Sequence, residues 1–268
     1  MSQLLMTGIT DIGRVRQENE DCIALEPEVG LVVLADGMGG HQAGEVASRM
    51  AVDVVTRHVV KAFTDAQNGG DDSFETKTVL EAIQIANGAI HELANTKTEC
   101  AGMGSTVVVT LFYGNKMCVA HVGDSRLYRF RGGALEQLTQ DHSVIQELVS
   151  RGLMTMEEAR KSIGKNLVTR ALGVDAIVKP DISEQPFQNE DIYLLCSDGL
   201  NDVVPDGDIE MMLMEYGRNL DAAAQRMVDT ANDRGGPDNV SVILVCASGL
   251  FARNREALHK LQQLKNWD

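Results

Sequence analysis

The 268-residue sequence is poor in aromatic residues, 4% with a single tryptophan, so a platform for stacking bases has little to be built from. It is also short of positive charge. Lys and Arg number 24 against 39 Asp and Glu, a formal net charge of −15. That balance argues against nucleic acid and anionic membranes as partners. It does not argue against a phosphorylated substrate, because a bound metal can invert the local field. No stretch approaches the ~20 apolar residues that span a bilayer, and no basic segment leads into an apolar run at the N-terminus. A soluble, cytoplasmic protein is expected. Cysteine is sparse: Cys22, Cys100, Cys118, Cys196 and Cys246, with no CxxC pair. Most lie in apolar runs such as KMCVAHV and IYLLCSDG, the pattern of reduced core cysteines.

Several catalytic motifs are missing as well. The strand-like run GLVVLAD leads into a glycine-rich turn, GMGGHQAGE, where a phosphate-cradling loop would stand. Gly39 and Gly44 have P-loop spacing, but Glu45 replaces the lysine that reaches the phosphates. Gly37 and Gly39 begin a dinucleotide fingerprint, but Gln42 replaces its third glycine. A cysteine phosphatase loop, C-x5-R, needs an arginine six residues after the cysteine; Glu28, Thr106, Asp124, Asp202 and Ala252 stand there instead. VGDSRL is not a GxSxG elbow, since Leu127 takes the last position. HExxH and CxxC zinc spacings are absent. These exclusions leave a metal-activated water as the candidate nucleophile.

What is present is a chain with 44% hydrophobic residues, enough for a sizeable core in one large domain or two small ones. LLMTGITD, DCIALEP and GLVVLAD read as early strands. A helix is expected from about Gly44 to Phe63, with Val46, Ala47, Met50, Ala51, Val54 and Val55 on one face. A polar loop, Asp65 to Ser73, separates it from a second helix, Glu75 to Thr96. STVVVTLFY, KMCVAHVG, SRLYRFR and ALEQLT form a meander broken by GNK, GDS and GG turns. Asp141 to Lys165 reads as helical, with TMEE (Thr155 to Glu158) as a capping box. Strands are expected again at NLVTRAL, DIYLLCS and NVSVILVCA. Helices are expected around Asp206 to Tyr216, Leu220 to Asn232 and Phe251 to Leu264. Strands cluster with strands and helices come in adjacent pairs, which argues α+β: a sandwich covered by helical hairpins.

Aspartates recur at strand ends. Asp36 follows GLVVLA and precedes Gly37; Asp198 follows IYLLCS and precedes Gly199; Asp238 precedes NVSVILV; Asp124 lies in VGDS between two strands; Asp21 enters a strand from RQENED. Each alone is more simply a turn former. Brought side by side they would repel, and each would need a cation to stay ionised. An all-oxygen site of that kind suits Mg²⁺ or Mn²⁺.

GRVRQENED, ADGMGGHQAGEVAS, GSTVVV, HVGDSRLY, LTQDHS, VTRALG, CSDGLNDVV and GPDNVSVILV occur in the order found in the metal-dependent protein Ser/Thr phosphatases of the PPM (type 2C) family. The resemblance runs from about Thr7 to Val245, and DGMGGH is similar to the bacterial branch. It implies a single domain over residues 1–268, built as a central antiparallel β-sandwich flanked on both sides by antiparallel helix pairs, in four layers. It implies a two-metal centre of Mn²⁺ or Mg²⁺ at the sandwich edge. In that centre Asp36 bridges both ions, Gly37 lends its carbonyl, and Asp198 and Asp238 complete one ion's shell. Glu20 and Asp21 would support the site through waters or indirect contacts. Asp124, with Asp198, would hold a third, weaker ion. Arg16 would bind substrate phosphate as a planar, permanently charged fork; Arg14 has the wrong spacing. Two ions about 4 Å apart activate a shared water for in-line attack on phosphorus.

The resemblance further implies phosphoserine and phosphothreonine proteins as substrates, an opposing bacterial Ser/Thr kinase, and a monomer. Animal members carry a histidine directly after the DG pair, proposed as the acid for the leaving group. Here Met38 stands there, and His41 three residues on is assigned a loop-supporting role, with acid as the alternative. His121 and His142 read as packing residues. Residues 142–168 correspond to the family's variable flap. Three rivals share the sequence: a degenerate member that binds phosphoproteins without hydrolysis, a metallohydrolase of small phosphate esters, and a structural protein with turn aspartates. The presence of Asp36, Asp198, Asp238 and Arg16 together weighs against the first.

Overall fold

The computed structural model describes residues 4–40, 43–65, 73–162 and 167–251. Two antiparallel sheets stack face to face. Numbered in chain order, one sheet runs β1 (Leu5–Asp11), β11 (Val240–Cys246), β10 (Ile192–Cys196), β7 (Arg126–Arg131), β8 (Ala134–Gln137). The other runs β2 (Asp21–Glu26), β3 (Leu31–Met38), β5 (Val107–Tyr113), β6 (Lys116–Val122), β9 (Asp181–Pro186), with the two-residue β4 (Gly104–Ser105) on the end of β3.

The strands read as continuous apolar runs because both of their faces are covered. Leu31, Val33 and Ala35 of β3 pack under α1 (Ala43–Asp65) and α2 (Phe74–Thr96). The alternate residues Val32 and Leu34 enter the space between the sheets. β11 mirrors this: Val240, Val242, Leu244 and Cys246 meet α6 (Asp206–Tyr216) and α7 (Leu220–Asp233), while Ile243 and Val245 face the centre. The layers are therefore helix, sheet, sheet, helix, as expected. α1 and α2 run antiparallel, with the Phe63 and Phe74 rings 5.2 Å apart at the connected end and His58 beside Glu81 at 3.7 Å. Truncating a central residue such as Leu34 to alanine is expected to cost about 2–5 kcal/mol.

The segment expected to be the flap carries two short helices, α3 (Val144–Ser150) and α4 (Met156–Ser162). The capping box is present: Thr155 Oγ1 accepts from Glu158 N–H at 3.2 Å, and the Glu158 carboxylate accepts from Thr155 N–H at 2.9 Å. Some expectations are corrected. NLVTRAL is not a strand. In its described part, Val168 and Leu172 each make one isolated bridge, because Leu167 O and Thr169 N pair with the chain around His142 instead of a neighbouring strand. β9 (DISEQP) went unread because it lacks an apolar alternation; five of its six residues are exposed. β3 does not stop at Asp36. It continues through Met38 because β4 pairs with Gly37 and Met38. Asp198 opens the short helix α5 (Asp198–Asn201) rather than closing a strand. His41 and the helix expected at Phe251 to Leu264, apart from Phe251, lie outside the described residues, as does most of the Asp65 to Ser73 loop. All five cysteines are free, and four are buried.

Candidate metal and phosphate site

At one end of the sandwich the sheets bring carboxylates into the gap between them. Asp36 on β3 is paired directly across from Asp21 on β2. Asp198 enters from the β10 end, Asp238 from the chain leading into β11, and Asp124 from the turn between β6 and β7. Asp36, Asp124, Asp198 and Asp238 line one cavity of about 180 Å³, together with Arg16, Glu20 and Gly37. Asp21 is buried behind that wall, where Ser197 Oγ (2.7 Å) and Ser241 Oγ (2.6 Å) from the opposite sheet donate to its Oδ2.

Local structure fixes each ligand candidate. The Asp36 N–H donates to Thr106 Oγ1 at 3.0 Å, and the Asp36 carbonyl accepts from Thr106 N–H at 2.8 Å and Ser105 Oγ at 3.0 Å. Thr106 Oγ1 in turn pairs with Ser125 Oγ at 2.7 Å, joining the GST and GDS segments. The glycines serve close approach. A Cβ at Gly37 would lie 2.0 Å from the Gly44 carbonyl oxygen, and one at Gly44 would lie 2.4 Å from Glu20 Oε1. The start of α1 thus packs backbone-to-backbone on β3, with the Glu20 carboxylate accepting from the Gly44 N–H. A Cβ at Gly199 would lie 2.0 Å from the Asn239 carbonyl oxygen, so α5 sits directly on the chain entering β11.

Arg16 reaches the cavity from the 12–20 loop. Its Nη2 donates to Asp238 Oδ2 at 2.7 Å and its Nη1 lies 3.9 Å from Glu20 Oε2. Asn239 holds that loop: its Nδ2 donates to the carbonyls of Ile12 (2.9 Å) and Glu18 (3.0 Å), and its Oδ1 accepts from Glu20 N–H (2.8 Å). The spacing of Arg14 excluded it in the sequence, and its backbone N–H is engaged elsewhere, on Gly236 O at 2.8 Å.

The electrostatics are those of anions short of a cation. Burial, then repulsion from Asp21, Asp198, Asp124 and Asp238, holds the Asp36 carboxyl well above the usual range. Burial, then Asp124 and Asp238, does the same at Asp198. Burial pushes Asp21 up to about 6 against the pull of the Ser241 and Ser197 hydroxyls. Burial and Asp141 push Asp124 up to about 6. Arg126 gives Asp124 little relief because its guanidinium is held by Asp141 at 2.7–3.1 Å. The donor set is entirely oxygen, which suits a hard divalent cation. One further observation fits an ion with its waters: Asp21 Oδ1 is buried and without a hydrogen-bond partner.

The structure therefore gathers Arg16, Glu20, Asp36, Gly37, Asp124, Asp198 and Asp238 around one cavity, with Asp21 behind it. Met38 lines the cavity where animal members have histidine, and no histidine lines it among the described residues. Sequence reading missed the holders Thr106, Ser197, Asn239 and Ser241. Ser241 carried a usable signal, as a polar residue at a centre-facing position of the apolar run NVSVILV.

The sequence profile described as protein phosphatase 2C matches residues 7–240. A serine/threonine phosphatase, stp, of Listeria innocua is 38% identical over 254 residues, covering 92% of this chain and 97% of its own. The crystal structure of the Mycobacterium tuberculosis serine/threonine phosphatase PstP superposes with a TM-score of 0.83 at 36% identity, covering 92% of this chain and all of that one. A PstP catalytic-domain structure in complex with two manganese ions gives 0.79 at 36% identity, covering 92% of this chain and 100% of that one. The chain belongs to the protein phosphatase 2C family, and it is a metal-dependent protein serine/threonine phosphatase of the bacterial type.

Proposed function

We propose that the cavity at the sandwich edge is the catalytic centre, and that Asp36, Asp198 and Asp238, with the Gly37 carbonyl, hold two Mn²⁺ or Mg²⁺ ions in it. The observation that carries this reading is the convergence of Glu20, Asp36, Asp124, Asp198 and Asp238 on one cavity of about 180 Å³, where burial and neighbouring carboxylates hold Asp36 and Asp198 well above the usual range. When bound, a divalent pair supplies an activated water as nucleophile and neutralises phosphate charge. Asp124 with Asp198 is assigned a third, weaker ion. Glu20 and Asp21 support the site, Asp21 by fixing the two sheets against each other through Ser197 and Ser241.

Arg16 is assigned the substrate phosphate. Its fork stands at the cavity mouth, half-exposed, on Asp238. An arriving phosphate offers the guanidinium oxygens in the same planar geometry. His41 is assigned loop support. Phosphoprotein substrates, an opposing bacterial Ser/Thr kinase, a monomeric state, cytoplasmic location and one phosphatase domain over the chain complete the reading. The profile match over residues 7–240 supports the single domain. No described helix is long and apolar enough to cross a membrane. The test is comparative kinetics in Mn²⁺: a phosphothreonine peptide against free phosphothreonine and a phosphodiester. A kcat/KM that favours the peptide supports a protein substrate. A diesterase preference would sink the reading.

A further inference from the structure

Behind the Asp124 turn lies a second polar cluster. His121 and His142 stack with ring centroids 4.6 Å apart, and Asp181 adjoins them; their ligand-type atoms lie within 4.8 Å of one another. That spacing would suit a metal, but the hydrogen bonds do not. His142 Nδ1 accepts from Gly123 N–H at 3.2 Å. A neutral imidazole accepts at one nitrogen only, so Nε2 carries the proton. It faces Asp181 Oδ2 at 3.3 Å, while Arg170 Nη1, itself a donor, lies 3.2 Å from the same nitrogen. His121 Nε2 is engaged with the Gln140 carbonyl at 2.9 Å, and Arg170 Nη1 occupies Asp181 Oδ1 at 2.9 Å. Arg170 is the cation of this cluster.

The same bonds give His142 a different task. Besides its ring, its backbone N–H donates to the Gly123 carbonyl at 2.9 Å. Both backbone polar groups of Gly123 are thus held by one residue. Gly123 has φ of 107°, a left-handed conformation open to glycine, and a Cβ there would lie 2.6 Å from Thr106 side-chain atoms. The turn is held on one side by Ser125 on Thr106 and on the other by His142. The next residue is Asp124.

We propose that His142, oriented by Asp181, is a positioning residue that fixes the Gly123–Asp124 peptide and so aims the Asp124 carboxylate into the cavity. This rests on the reading of Asp124 as a ligand of the weaker ion. With the Nε2 proton facing Asp181, the lone pair on Nδ1 receives the Gly123 N–H. Partners of this kind, one step removed from the ion, change metal affinity by about 10- to 100-fold when lost.

The test is Mn²⁺ titration of the metal-free full chain by calorimetry, with folding checked by near-UV circular dichroism. Asp124→Ala establishes which binding event belongs to Asp124. His142→Asn places an amide oxygen near the position of Nδ1 and keeps the Gly123 bond. His142→Gln places its amide near Nε2 and loses that bond. The expected result is that Gln weakens the Asp124-dependent event by about 10- to 100-fold and leaves the tighter events unchanged, while Asn retains it. The proposal is overturned if Asn and Gln behave alike, or if Gln weakens every event equally. If Asp124→Ala changes no event, the assignment of Asp124 itself falls, and the proposal with it. A failure at His142 alone leaves that assignment standing.

Discussion

Asp21 and Asp36 face each other directly across the β2–β3 ladder, and both side chains turn into the space between the two sheets. Like charges in that relation destabilise a sheet. The pair persists because the rest of the fold over-determines it: Ser197 and Ser241 grip Asp21 from the far sheet, and Thr106 and Ser105 grip the Asp36 backbone.

Metal-free protein should therefore lose stability as pH rises. Asp21 is pushed up to about 6 in the fold, against an ordinary value of 3.8, so the folded state binds its proton more tightly than the unfolded state does. Its contribution is most favourable below the ordinary value and is lost between about pH 4 and pH 6, amounting to about 3 kcal/mol. In EDTA, Asp21→Asn should gain on wild type across that window by urea denaturation. A constant difference between the two proteins from pH 4 to pH 7 would contradict the assignment.

Arg16 and Asp238 make a half-exposed pair, so its loss should change stability by less than about 1 kcal/mol. Its effect on turnover should be far larger. Arg16→Lys keeps the charge without the fork and is expected to lower kcat/KM for a phosphopeptide by about tenfold, and Arg16→Ala by about 10²-fold. Equal activity of wild type and alanine variant in steady-state assays would remove Arg16 from the phosphate.

Gly199→Ala should destabilise by about 3 kcal/mol, because the new methyl would meet the Asn239 carbonyl oxygen at 2.0 Å, and backbone gives way less readily than a side chain. The urea midpoint reads this directly. Gly207 has open space at its Cβ position and serves as the control, where alanine should be tolerated.

Asn239→Asp should separate positioning from ligation. The carboxylate can still accept from Glu20 N–H but cannot donate to the Ile12 and Glu18 carbonyls. The expected cost is about 1–3 kcal/mol for the two lost hydrogen bonds. The 12–20 loop should exchange its amide hydrogens faster, with kcat/KM falling and the tight Mn²⁺ events preserved. Unchanged exchange in that loop would refute the tethering role.

The central strands were legible because burial on both faces leaves one code, uninterrupted β-branched and aliphatic residues between turns, as in β3 and β11. The carboxylates were legible for a related reason: Asp36, Asp198 and Asp238 each interrupt such a run at its end. β9 was not, because an exposed edge strand such as DISEQP needs only backbone pairing, here with Lys116 to His121. NLVTRAL misled because Val168 and Leu172 have strand-like chemistry, whereas Leu167 and Thr169 bond to the chain around His142 and Leu172 to Ser105, two different places. Asn239 was invisible as a tether because its partners lie at Ile12, Glu18 and Glu20, over two hundred positions away, and spacing carries no trace of them.

The most direct measurement is phosphate release from a phosphothreonine peptide by the purified chain, in Mn²⁺ and in EDTA, beside Asp198→Ala. The account predicts release that requires Mn²⁺ and disappears in the variant while the variant remains folded. Release that persists in EDTA, or in Asp198→Ala at the wild-type rate, would contradict it.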